Sequence, residues 1–201
     1  ISPVALASKN RVIFVCAAKH VGLQLAKSSI SLDIKIAVAF GCEDPGGIRL
    51  HYFAAKDYTK NRRTGGIFRV DNSVGDNVEI MICDIMSYLP AMHYMMAFNK
   101  KEDIILYWDE PTITLDYETH EYHDILQKNW CENLIPNIVL SSATLPQQED
   151  IGPCLQSFVF KFSSTNIYNI VSHDCTRTIP IIDINGMIVL PHYIFDNFKE
   201  L

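Results

Sequence analysis

Short apolar runs rich in β-branched residues punctuate the chain: "RVIFVC" (11–16), "IKIAVAF" (34–40), "VEIMIC" (78–83), "DIILYW" (103–108), "NIVLSS" (137–142) and "SFVFKF" (157–162). They show little apolar–polar alternation, so they predict strands covered on both faces, as in a parallel sheet. Helical spacing fills several of the gaps. "HVGLQLAKSSI" places Val21, Leu25 and Ser28 or Ser29 on one face, and "DIMSYLPAMHYMMAF" opens on Asp84 as a candidate N-cap, with Pro90 expected to kink or divide the helix. "TLDYETHEYHDILQKNW" is polar, with Leu115, Tyr122 and Leu126 as its expected buried stripe. The alternation predicts an α/β fold, a mostly parallel sheet with helices on both faces. Residues 41–77 interrupt the rhythm with "EDPGG", "TGG" and "DNSVGDN". They predict a loop-rich insertion with a hairpin through "GIRLHYFAA" and "GGIFRV". Near the other end, Asn185-Gly186 between two apolar runs predicts a small hairpin.

Composition narrows the class. The chain has 201 residues, 48% hydrophobic and 20% charged, in the ordinary range for a globular protein. No apolar run reaches the roughly 20 residues of a membrane span, so no membrane partner is expected. A net charge of −6 argues against a blanket electrostatic grip on nucleic acid but leaves room for a local basic stripe. The six cysteines form no CxxC pair, and Cys16 and Cys83 end apolar runs as small core residues do. An intracellular, reducing compartment is the expectation.

Candidate chemistry lies where the strands stop. In an open α/β sheet, functional groups collect at the carboxyl ends of strands. "IILYW" delivers Asp109 and Glu110 to that position. One acid of such a pair can hold hydrated Mg2+ beside a phosphate, and the other can orient or deprotonate a water. A solvated loop start is the plain alternative. "NIVLSSATLP" is a second strand ending in hydroxyl residues, where Ser142 and Thr144 could hydrogen-bond back to Glu110 or forward to a neighbouring domain, with plain turn chemistry as the alternative.

These two strand ends resemble motifs II and III of the superfamily 2 helicases: Asp109-Glu110-Pro111-Thr112, then Ser142-Ala143-Thr144. "VIFVCAAKHVGLQLA" is similar to motif Ia of that family, with Lys19 on its arginine and Gln24 on its glutamine, and "VEIMICDIMSYL" stands where motif Ib is expected. The resemblance covers about residues 11–146. It implies a partial RecA-like (P-loop NTPase) lobe over 1–165, insertion included, and a C-terminal extension or the start of an inter-lobe segment over 166–201. It also implies ATP and Mg2+ as cofactors of the full-length protein, with Asp109 on the metal and Glu110 on the hydrolytic water. Ser142, Ala143 and Thr144 would couple nucleotide state to lobe closure, and Lys19 and Gln24 would lie near a nucleic-acid strand, RNA or DNA.

The sequence departs from the family in several places. Motif II reads DEPT, motif Ia lacks its Pro-Thr pair, and Asp84 and Ser87 stand where motif Ib commonly has Thr and Arg. The phosphate-binding GxxxxGK motif, followed by Ser or Thr, is missing, and "GCEDPGGI" (41–48) offers glycines without its lysine. The expectation is most of a first motor lobe without its Walker A segment or second lobe, unable to hydrolyse ATP alone. A non-hydrolytic nucleic-acid-binding or scaffolding module is the alternative.

Other signals carry less. "KDYTKNRRTGGIFR" mixes Lys56, Lys60, Arg62, Arg63 and Arg69 with Tyr58 and Phe68, as backbone-tracking grooves do, though solvated loops share that composition. "HEYHD" has Asp124 where a zinc HExxH motif needs histidine, so His120 and His123 read as surface. "HDC" (173–175) reads as a loop, and Met81, Met86, Met92, Met95 and Met96 as packing. Glu110-Pro111 imitates a glycosidase strand end, but a β/α barrel typically takes about 250 residues.

Overall fold

The computed structural model describes residues 2–60, 63–112, 118–142, 146, 151–163, 166–170 and 181–190. The chain divides into two compact units, Ile1–Gln147 and Gln148–Leu201.

The first unit is built on a six-stranded sheet. Its strands are β1 (Arg11–Cys16), β2 (Ile36–Ala39), β3 (Arg49–Leu50), β6 (Ile80–Asp84), β7 (Ile104–Asp109) and β8 (Asn137–Ser141), in the order β3-β2-β6-β1-β7-β8. All pairings are parallel except β2 with β3. Between β3 and β6 a separate antiparallel ribbon forms from β4 (Tyr58–Lys60) and β5 (Ile67–Val70). The fold is thus α/β with a mostly parallel sheet, as the apolar runs predict.

The uninterrupted runs are explained by burial on both sides. Ile13 and Val15 of β1 join one core with Met81, Cys83, Leu106 and Trp108, covered by α3 (Tyr88–Met96) and α4 (Tyr122–Glu132). Val12, Phe14 and Cys16 join the other with Ile80, Ile82 and Tyr107, covered by α1 (Ser2–Ala7) and α2 (Lys19–Ile30). Two-sided cover removes the polar half of the strand pattern.

Four local expectations are corrected. In α2 the buried stripe is Gly22, Ala26 and Ser29, with Val21 and Leu25 only half-buried beside it. Small residues let this helix lie close, since a Cβ on Gly22 would come within 2.9 Å of Ile82 and Phe40. Pro90 neither kinks nor divides α3, because it falls in the first turn, where its missing N–H has no helical partner to lose. Asp84 is the last residue of β6, not a cap adjoining the helix, and Met86 is exposed while Met92 and Met95 are buried. In the insertion, "GIRLHYFAA" pairs through β3 with β2, whereas "GGIFRV" pairs with "YTK".

In the second unit, "SFVFKF" is not a strand but the end of α5 (Gly152–Phe162). Leu155, Phe158, Val159 and Phe162 fall at i, i+3, i+4 and i+7, and Pro153 opens the helix. The expected hairpin forms from β9 (Ile181–Ile182) and β10 (Ile188–Leu190). Gly186 supplies φ +79° at its turn, and Asp183 Oδ1 accepts from the amides of Asn185 and Met187 at 2.8 Å each.

Candidate active site at the sheet rim

β7 and β8 are adjacent and in register, with Asp109 opposite Ser141. Both end at the same rim, so the acid pair and the hydroxyl turn meet. The Glu110 amide donates to Ser141 O at 2.8 Å. Glu110 then leaves the extended conformation for φ +50°, a left-handed backbone that turns the chain at the strand end. Ser142 Oγ donates to Glu110 Oε2 at 2.7 Å, and Thr112 Oγ1 lies 3.3 Å from the same serine oxygen. Ala143 and Thr144 lie outside the described residues. Thr112, the last residue of the DEPT segment, has no site role expected of it in the sequence but joins the contact here. A hydroxyl two residues after Glu110 was the signal available.

The two acids differ in setting. Glu110 is exposed, whereas Asp109 is half-buried. Burial pushes the Asp109 carboxyl above its usual range, and the neighbouring Glu110 charge adds to the rise. One strand over, burial lifts the Cys16 thiol to about 11, helped by the charges of Asp109 and Asp84. The ends of β6 and β7 thus bring the carboxylates of Asp84 and Asp109 to one rim, with Glu110 just beyond.

Gln24 and Asp109 line a common cleft of about 430 Å³, floored by Phe14 and Tyr107, whose rings stack at 5.7 Å. Lys19 is not part of it, and its ammonium lies 5.3 Å from the centre of the Phe40 ring, after β2.

The positions expected for motif Ib have structural work. Asp84 accepts from the amides of Gly41 and Ser87, both at 2.8 Å, and Ser87 Oγ accepts from the Cys42 amide at 2.7 Å. The glycines of 41–48 are spent in the same way. The Gly46 amide donates to Asp44 Oδ1 at 2.7 Å, and the Gly47 amide to Asp44 O at 3.2 Å. These amides are not arrayed as a phosphate cradle.

His120 stands before α4, its Nδ1 accepting from the Tyr122 amide at 3.1 Å. Its ring centre is 6.0 Å from that of His123. Among the described residues no group of three or more His, Cys, Asp or Glu is placed to share a metal ion. Leu115, Arg62 and "HDC" at 173–175 lie outside the described residues. No described helix is long and apolar enough to cross a membrane.

With this geometry, the chain was compared with known proteins. No protein-family model matches it, and a search of curated proteins returns no match.

Proposed function

We propose that this chain forms most of a RecA-like first motor lobe of a superfamily 2 helicase or translocase, driven by ATP and acting on nucleic acid. One observation carries the reading: Ser142 Oγ, leaving β8, donates to the Glu110 carboxylate, leaving β7, at 2.7 Å. The two segments that resemble motifs II and III are in direct contact, at the rim where an α/β sheet places its chemistry.

The acid pair fits a hydrated Mg2+, which keeps most of its waters and needs only one or two carboxylates. A triphosphate cradle is not supplied by the described residues. In this reading the Walker A segment and the second lobe lie outside these 201 residues, and the chain alone does not hydrolyse ATP.

When bound, MgATP supplies the transferable phosphoryl group. Asp109 would hold the cation, and a cation there would offset the charge that burial penalises. Glu110 orients the attacking water and takes its proton. Ser142 engages Oε2 of Glu110, leaving Oε1 as the oxygen assigned to the water. Ser142 with Thr144 passes the state of that carboxylate to lobe closure. Lys19 and Gln24 lie along the nucleic-acid path.

Glu110→Gln in the intact protein is expected to lower nucleic-acid-stimulated ATP turnover by about 100-fold or more while a fluorescent ATP analogue still binds. Unchanged turnover would remove Glu110 from the mechanism. A second reading, a helicase-like scaffold without hydrolysis, is favoured by the glycine amides of 41–48 being satisfied by Asp84 and Asp44 instead of facing a phosphate. An intact wild-type protein that binds nucleic acid without turning over ATP would select it.

A further inference from the structure

The insertion carries a feature that the motor reading leaves unused. At its start, the rings of His51, Tyr52, Phe53 and Tyr58 gather into one cluster. Tyr52 lies 4.6 Å from His51, 4.2 Å from Phe53 and 5.4 Å from Tyr58, centre to centre. Phe53 and Tyr58 are 45% and 42% exposed, unusual for large rings in a cluster. Lys60 follows on the same strand, its ammonium 5.8 Å from the centre of the Tyr58 ring.

The cluster has a firm footing. Ala54 and Ala55 beneath it are buried, and the His51 amide donates to Ile36 O of β2 at 3.0 Å. The base of the β4–β5 ribbon is fastened by the Asp71 amide to Asp57 O at 3.0 Å and by the Lys56–Asp76 ion pair at 2.9 Å. Beyond it, Asn72 accepts from the Leu50 amide through Oδ1 at 2.7 Å and from Tyr94 Oη through its carbonyl at 2.8 Å. Exposed rings on a braced support lose little freedom when a flat partner stacks on them.

Charge selects the partner. With Lys56 paired to Asp76, the described residues from 51 to 71 bring the cations Lys60, Arg63 and Arg69 against the acids Asp57 and Asp71, a small local excess of positive charge in a chain whose net charge is −6. A locally basic surface with exposed rings matches a strand of unstacked bases and phosphates, since every base has a face to stack and every linkage a negative charge. We propose that Tyr52, Phe53 and Tyr58 with Lys60 form a stacking platform for single-stranded nucleic acid, an auxiliary contact separate from the Asp109–Glu110 rim. It rests on the nucleic-acid partner of the reading above, not on ATP hydrolysis.

The test is fluorescence anisotropy of the 201-residue chain with labelled oligothymidylate and oligouridylate of about 20 nucleotides, and with a blunt duplex of equal length. Single strands are expected to bind more tightly than the duplex. Tyr58→Ala should weaken single-strand binding by about ten-fold or more, Tyr58→Phe by about two-fold or less, and Lys60→Ala should lower affinity and flatten the salt dependence by about one charge. Thermal melts accompany each variant. Should Tyr58→Ala not fold, Phe53→Ala and Lys60→Ala carry the same reading. A wild-type chain without preference for single strands, or well-folded alanine variants that bind as wild type, would overturn the platform. So would equal displacement by polyglutamate and by unlabelled oligonucleotide, which would reassign the surface to an acidic protein segment. ATP turnover is not read in this assay, so its failure leaves the Asp109 and Glu110 assignment standing, and an inert Glu110→Gln result leaves the platform standing.

Discussion

Asp109 and Glu110 are chemically near-identical neighbours made different by one step of backbone. Asp109 still belongs to β7 and shares its partial burial, while the left-handed turn at Glu110 swings the next carboxylate out to Ser142. A non-glycine residue held there costs roughly 1 kcal/mol, and such outliers concentrate at functional sites. The Asp109 shift has a stability consequence with a definite sign. Its folded pKa is raised, so its contribution to stability is fully present below the usual unfolded carboxylate value and is lost as pH rises through the folded value. Asp109→Asn, without added divalent cation, is therefore expected to melt higher than wild type at neutral pH. Thermal melts between about pH 3 and 8 should show that gain vanish at the acid end. A gain that persists at the acid end would mean the carboxylate's charge is not what the fold resists.

At the scale of elements, Gly22 shows how closely α2 is seated on the sheet. A Cβ there would stand 2.9 Å from Ile82 Cγ2 and 3.0 Å from Cys16 Sγ, both on buried strands. Gly22→Ala should cost about 1–3 kcal/mol, read by urea denaturation with an unchanged m value. Sequence periodicity missed this contact because it weighs large apolar residues, and the close face of α2 is made of small ones. Strands β1, β2, β6 and β7 were legible because two-sided burial leaves a continuous apolar run. "SFVFKF" was not, since a short apolar run fits either a buried strand or one side of a helix. Pro90 was misjudged for want of the helix start, which fixes whether a proline breaks a turn or opens one. The rim acids were legible from strand ends alone. The lock between Glu110 and Ser142 depends on β7 and β8 being neighbours, a tertiary fact that no local pattern carries. The ring cluster was hidden too, because His51, Tyr52 and Phe53 lie outside the basic stretch and join Tyr58 only through the turn at Tyr52, Phe53 and Ala54.

Across the first unit, protection should follow depth in the sheet. β1 has five of six residues buried and is flanked by β6 and β7, whereas no residue of the edge strand β8 is fully buried. Native-state hydrogen exchange is expected to be slowest in β1 and β6, faster in β8, and faster again in the β4–β5 ribbon, whose β4 residues are all exposed. A ribbon exchanging as slowly as β1 would contradict this order. The hierarchy also separates tasks. Of the two strands expected to exchange slowest, β1 carries Phe14 of the cleft floor, whereas β4 and β5 form a separate ribbon outside that sheet.

The place of β1 at the centre of the sheet has a consequence for synthesis. Val12 pairs with Ile80 and Arg11 with Ile104, so β1 waits for partners made almost 70 and more than 90 positions later. At about 5–20 residues per second, roughly 3 to 20 seconds pass before β6 and β7 are available to pair with it. Long-range parallel pairing is slow even after the partners emerge. Both cores that β1 joins include residues of β6 and β7, so neither closes until those strands have been made.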